Sequence, residues 1–379
     1  MSGLTRVIST TKKSLIYIGL FFVAFLLFSF VIYSITQYVH NYYLKKQSLL
    51  AQNGFGVIPQ ANFKKISISS KVKPQFILNN TVNINNYPKL LNVYKLQRPQ
   101  LTLSSLDTVK NLISNMGINN PQESNISPFL YQWSTLHHKI IFNLNDLSFN
   151  ISLLSSLSSY INYQTSNGYS FNFNQASSAE SAVYGFLQGL SYENALGQTV
   201  NLMNMNSSYF SAVPVTINNN SIGLSNTTGE IPNAYYVFYR KHINGYKIYG
   251  SNPEVTSINF LVDNTSISGL NGIISANFTN YNIGKGSTYN IISPYQAFIK
   301  MQSGSGALVS TYQSLNGNPY IVNYNADYKV SKFYVNNISL GYYEPPSYTN
   351  YLIPIYVLSG ELYLTNNQIL NFSYYVNAL

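Results

Sequence analysis

The sequence predicts an α+β fold, in which an N-terminal transmembrane helix leads into an external domain of helices packed on antiparallel sheets. Three observations predict it. The 26 residues 14–39 carry no charge. Three later segments place apolar residues at helical spacing between usable end signals. Each of these is followed by runs of alternating polarity, rich in β-branched and aromatic residues. The units share an order without a fixed period, so they read as a divergent duplication or triplication and not as a solenoid.

Composition bounds the rest. At 379 residues the chain has room for two or three domains, and 45% hydrophobic content supplies a core. Charged residues make up only 8%, against about 25% in a typical domain. Asn, Ser, Thr and 35 Tyr provide the missing polarity. Two readings account for this: an acidic exterior, where carboxylates lose their pairing value, or the residue bias of an AT-rich genome. The net charge of +10 is scattered as single residues and pairs such as Lys45-Lys46 and Arg240-Lys241. Nucleic-acid binding needs a basic stripe, so no nucleic-acid partner is expected. The absence of cysteine excludes disulfides, thiolate metal sites and cysteine nucleophiles.

The elements follow in order. Residues 1–13, with Arg6, Lys12 and Lys13, read as a cytoplasmic N-terminus, and 14–39 as an uncleaved signal anchor through the lipid bilayer. A cleavable signal peptide has a shorter apolar region and a small-residue cleavage site. The bulky "QYVHNYYLKK" that ends and follows this run does not match that pattern. Residues 40–100 read as a juxtamembrane stalk with a few strands. Three α+β units then cover 101–175, 176–290 and 291–379. The first opens on a helix from Ser105 to Met116, closed by Gly117. The second opens on "SSAESAVYGFLQGL", with Ser177 and Glu180 as a capping box. The third opens on "SPYQAFIKMQSG", with Ser293 as N-cap, Pro294 first in the helix, Gln296 as reciprocal partner and Gly304 as the stop. A hairpin is expected around Asn244-Gly245. A second is expected within Gly341–Tyr363, turning at Glu344-Pro345-Pro346-Ser347, with Pro354 marking an edge strand or a bulge.

The segments "INGYKIYG" (243–250), "SPYQAFIKM" (293–301), "ISLGYY" (338–343), "YLIPIYVLSG" (351–360) and "YYVNAL" (374–379) together resemble YycI/YycH-type extracytoplasmic regulatory proteins, and more broadly PepSY-like α+β domains. "SSLDTVKNLISNMGI" followed by "YQWS" resembles the opening of an earlier copy. The resemblance covers roughly residues 100–379. It implies a single-pass membrane protein that acts by contact with membrane partners and not by catalysis. The Asn and Tyr bias departs from that family and looks more like a surface protein of heat- and acid-adapted archaea.

Glycan acceptors are the one class of site the sequence offers by number. Sequons stand at Asn79, Asn125, Asn150, Asn206, Asn219, Asn226, Asn264, Asn277, Asn337 and Asn371, all C-terminal to the apolar stretch. Catalytic, cofactor and metal residues are not expected. The acids are widely spaced, His137 and His138 would point to opposite faces of a strand, and neither a nucleophile elbow nor a phosphate loop is present. The expected function is that of a membrane-anchored extracellular glycoprotein. It would bind a membrane or surface protein as an accessory subunit or regulator. The alternatives are a structural component of a surface layer, filament or virion and, third, an acid-active hydrolase.

Overall fold

A computed structural model describes residues 25–39, 53–69, 73–97, 105–118, 121–157, 159–160, 176–193, 199–202, 207–218, 221–224, 232–263, 270, 272–279, 281–313, 319, 322–345 and 349–379. The chain forms two compact units, Met1–Val57 and Ile58–Leu379. In the first, residues 25–39 form helix α1.

The second unit is dominated by strands. The chain first lays down β1 (Ser67–Ser69), β2 (Gln75–Leu78) and β3 (Leu90–Gln97). Helix α2 (Ser105–Asn115) follows, then β4 (Gln122–Ser127), β5 (Leu130–Ser134), β6 (His138–Asn143) and β7 (Ser148–Leu153). Helix α3 (Ala176–Gly189) leads to a short pair, β8 (Ser191–Glu193) and β9 (Thr199–Asn201), and to β10 (Phe210–Asn218), β11 (Ser221–Leu224) and β12 (Ala234–Tyr239). Next come β13 (His242–Ile243), β14 (Tyr246–Tyr249), β15 (Ile258–Asp263), β16 (Ile273–Phe278) and β17 (Asn282–Asn290). Helix α4 (Pro294–Gln302) precedes β18 (Ala307–Tyr312), β19 (Asp327–Tyr343), β20 (Tyr351–Leu364) and β21 (Ile369–Asn377).

Two large sheets result. One has nine antiparallel strands in the order β11-β10-β12-β15-β16-β7-β6-β5-β4. The other has ten, with the path β13-β14-β19-β20-β21-β18; β1 and β2 add to β19 in parallel, and β3 bridges β17 and β20. Helices α2 and α3 bury Val109, Leu112, Ile113, Val183 and Leu187 against the nine-stranded sheet, in one cluster with Trp133, Phe142, Phe260 and Phe278. Helix α4 buries Ala297, Phe298 and Met301 against the ten-stranded sheet. The chain crosses between the sheets three times within about 40 residues, at 240–241, 250–257 and 279–281.

This architecture corrects the α+β reading of helix-plus-sheet units behind a transmembrane helix. The described residues hold twenty-one strands and are mostly β. The sheets also ignore the unit boundaries read from the sequence. β7 of the first stretch pairs with β16 of the second, and β14 of the second pairs with β19 of the third. Periodicity reports which segments are strands, but pairing is decided by burial across long sequence separations. No helix among the described residues is long and apolar enough to cross a membrane. Residues 14–24 of the apolar stretch lie outside the described residues.

Local expectations fare unevenly. In α4 the Ser293 side chain accepts from the Gln296 amide while the Gln296 side chain accepts from the Ser293 amide. Asn244 and Gly245 take φ of 48° and 81° between β13 and β14, as a tight primed turn requires. The box expected at Ser177 does not form, because α3 already begins at Ala176 and Glu180 instead accepts from the Ala212 amide of β10 at 2.8 Å. Pro354 sits on neither an edge nor a bulge. β20 is an interior strand that pairs with β19 along one side. Along its other side it pairs with β3 at Tyr351 and Leu352, then with β21 from Ile355 onward. In an antiparallel ladder the amide and carbonyl of one residue face the same neighbour. The Pro354 carbonyl accepts from Ala378, just past the end of β21, so the missing N–H falls where the neighbour changes and no ladder bond is lost.

Candidate functional site

The end of the β19–β20 hairpin carries a cleft of about 560 Å³. One wall is an extended segment, 59–64; the other is Tyr343, Pro345 and the start of β20 through Tyr351 and Ile353. No strand among the described residues pairs with 59–64. Side chains hold it instead. The Ala61 amide donates to Asn377 Oδ1 at 3.0 Å, and Tyr343 Oη donates to the Asn62 carbonyl at 3.4 Å. Phe63 inserts edge-on between Tyr343 and Tyr375, with centroids 5.0 and 5.5 Å away. Burial, with Tyr324 nearby, pushes the Tyr343 phenol up to about 12, which keeps it a neutral donor. The result is an aromatic floor with proline and asparagine at its margins.

Glu344, the next residue, turns inward. It is 4% exposed. Its Oε1 accepts from Lys241 Nζ at 3.2 Å, and its Oε2 accepts from Ser257 Oγ. Lys241 Nζ also donates to the Thr279 carbonyl at 3.1 Å and lies 3.8 Å from the centroid of the Tyr281 ring. An ammonium has three N–H groups, and these three partners match them. Burial pulls the Lys241 amine below its ordinary value, against the opposing pull of Glu344. Burial and the Glu344 charge push the Tyr281 phenol well above its own. Lys241, Ser257, Thr279 and Tyr281 all lie on or beside the crossings between the sheets. The pair is therefore a buried tie at the junction. On its outer side opens a smaller polar cleft of about 250 Å³, lined by Thr256, Ser257, Asn259, Asn277, Thr279 and Glu344. Pro345 borders both clefts.

A third surface is a polar groove of about 410 Å³ across β14, β19, β20 and β21, bordered by Arg240, Lys247, Glu254 and Tyr312. A bulge in β19 between Val335 and Asn337 leaves both Asn336 and Asn337 exposed on its rim. Opposite the bulge stands Gly360, where a Cβ would lie 2.0 Å from the Tyr334 carbonyl oxygen.

Six of the ten sequons fall on described residues. Asn125, Asn150, Asn277, Asn337 and Asn371 lie on β4, β7, β16, β19 and β21, and Asn79 just follows β2. Asn206, Asn219, Asn226 and Asn264 lie outside the described residues. Asn337 and Asn371 share the polar groove, while Asn150 and Asn277 stand directly opposite each other. Other charged residues have structural contacts. Glu123 pairs with Lys110 at 3.2 Å, Asp146 accepts from the Ser148 amide at 2.9 Å, and Glu361 accepts from Tyr363 Oη at 2.7 Å. His138 Nε2 lies 2.7 Å from the Ile273 carbonyl, and burial lowers its pKa. Sequence reasoning missed the Lys241–Glu344 tie. The available signal was a lone Glu beside two prolines at a strand end, in a chain with 11 acids.

No family model matches the chain, and no curated protein matches it. A solved structure of an uncharacterized protein from Eubacterium rectale is similar over 82% of this chain and 90% of its own, at 14% identity and a TM-score of 0.41. That likeness is too slight to carry fold or function across.

Proposed function

We propose that this chain is an extracytoplasmic glycoprotein, attached to the membrane by its apolar N-terminal stretch, that acts by binding an extended segment of a membrane or surface protein as an accessory subunit or regulator. The observation that carries this reading is the cleft at the end of the β19–β20 hairpin. It combines aromatic area at Phe63, Tyr343 and Tyr351 with a backbone segment that joins no ladder, the two elements by which extended peptides are gripped. Helix α1 supports the membrane attachment. Phe25, Leu26, Leu27, Phe28, Ile32 and Ile35, spread around its circumference, are each at least 49% exposed. A helix apolar on all sides belongs in an apolar environment.

The test is a photo-crosslinking residue at Asn350, on the cleft margin, in the full chain within its native membrane. One defined partner of different mass, lost when Tyr351 is changed to Ser, is the expected result. A ladder of the chain's own multiples identifies the structural surface component instead. No crosslink at Asn350, with efficient crosslinking from the exposed Leu136 in the turn between β5 and β6, removes the cleft as the docking site.

A further inference from the structure

We infer that Asn277 is an occupied glycan acceptor and that Asn150, in contact with it, is not. The inference rests on the glycoprotein reading above and names which position carries the sugar. On the face of the nine-stranded sheet away from α2 and α3, Asn150 of β7, Asn277 of β16 and Asn259 of β15 stand in register on adjacent strands. Their amides form a directed chain. Asn150 Nδ2 donates to Asn277 Oδ1 at 2.7 Å, Asn277 Nδ2 donates to Asn259 Oδ1 at 3.2 Å, and Asn259 Nδ2 donates to the Thr256 carbonyl at 2.6 Å.

A side-chain amide has two N–H hydrogens. Asn150 engages both, the second through the Ala276 carbonyl at 3.3 Å. Asn277 engages one and is exposed. N-glycosylation replaces one amide hydrogen. A bond forms between Nδ2 and the anomeric carbon of a sugar carried on a pyrophosphate donor. The bond from that carbon to the donor oxygen breaks, the pyrophosphate leaves with the electron pair, and the displaced proton passes to the transferase's base. At Asn277 the product keeps one N–H for Asn259 and its Oδ1 for Asn150, so the chain of amides survives. At Asn150 the same step removes one of the two hydrogen bonds its amide makes to β16.

The space beside Asn277 agrees. The polar cleft bordered by Asn259, Thr256, Ser257, Thr279 and Glu344 opens next to this side chain. Its volume of about 250 Å³ is smaller than the roughly 300–1,000 Å³ of drug-sized ligand sites and suits the first ring of an attached glycan. Its lining offers carbonyl, amide and hydroxyl partners to sugar hydroxyls.

The experiment is glycopeptide mass spectrometry on the full chain from its native membrane, alongside intact-mass measurement of Thr279→Ala and Ser152→Ala. Each variant removes one sequon and leaves all three asparagines in place. The expected result is a glycan on Asn277, a bare Asn150, loss of one glycan's mass in Thr279→Ala and no loss in Ser152→Ala. A glycan on Asn150, or a bare Asn277 while other sequons are occupied, overturns the inference alone. No glycan at any of the ten sequons overturns the glycoprotein reading and this inference with it.

Discussion

The Lys241–Glu344 pair is decisive at the scale of single residues. Removing one member of a buried pair leaves an uncompensated charge and costs about 3–5 kcal/mol, whereas replacing both with apolar groups is often neutral. Lys241→Met is therefore expected to lower the urea midpoint strongly, and Lys241→Met combined with Glu344→Leu to recover most of the loss. Equal destabilisation of the single and double variants would show that the tie matters for packing and not for charge. The tyrosines set a second expectation. Tyr343 and Tyr374 are pushed up to about 12 by burial, above an ordinary value of 10.0. Between these values the unfolded chain has lost the phenolic proton and the folded chain holds it, so stability is full below about pH 10 and falls as pH rises toward about 12. Absorbance of the phenolate against pH is expected to show a buried class that appears only with loss of near-ultraviolet dichroism.

Among the elements, the β19 bulge depends on Gly360. A methyl group there meets backbone at 2.0 Å from Tyr334 and 2.8 Å from Asn336, neither of which can rotate away. Gly360→Ala is expected to destabilise by roughly 1–3 kcal/mol, as overpacking does. Chemical denaturation checks this, and Gly185→Ala, on α3 with open space around it, is the control expected to be neutral or stabilising. Elements with local causes were legible in the sequence. The Ser293–Gln296 box, the Asn244-Gly245 turn and the apolar stripe of α2 are each specified within a dozen residues. What the sequence did not reveal was specified at a distance. Pro354 looked like an edge marker because a missing donor is costly inside a sheet; nothing near it tells that β3 and β21 share one side of β20. Glu344 looked like a turn residue because its partner lies 103 residues away. The sequons at Asn150 and Asn277 looked equivalent because the register that joins them spans 127 residues.

For the whole molecule, the two sheets are joined by repeated chain crossings, three of them within residues 240–281, and by the buried Lys241–Glu344 pair, so residues 58–379 are expected to unfold in one cooperative transition. Coincident far- and near-ultraviolet dichroism curves would support this, and separated midpoints would show the sheets to be independent. The full chain is expected to enter the detergent-rich phase on Triton phase partition and residues 58–379 to remain in the aqueous phase. Entry of both into the same phase would detach the membrane attachment from the apolar stretch.

The sharing of β20 by β3 and β21 also sets a schedule for synthesis. β3 is complete at Gln97, but its partners β17 and β20 begin only at Asn282 and Tyr351. At about 5–20 residues per second, a strand containing Leu91, Val93 and Leu96 waits on the order of ten to fifty seconds before its partners exist. Such delayed closure makes for slow, non-local assembly, during which the nascent chain presents an open edge. Folding of this protein is thereby tied to whatever shelters β3 over that interval, and a chain released before Tyr351 would leave the ten-stranded sheet without its central strand.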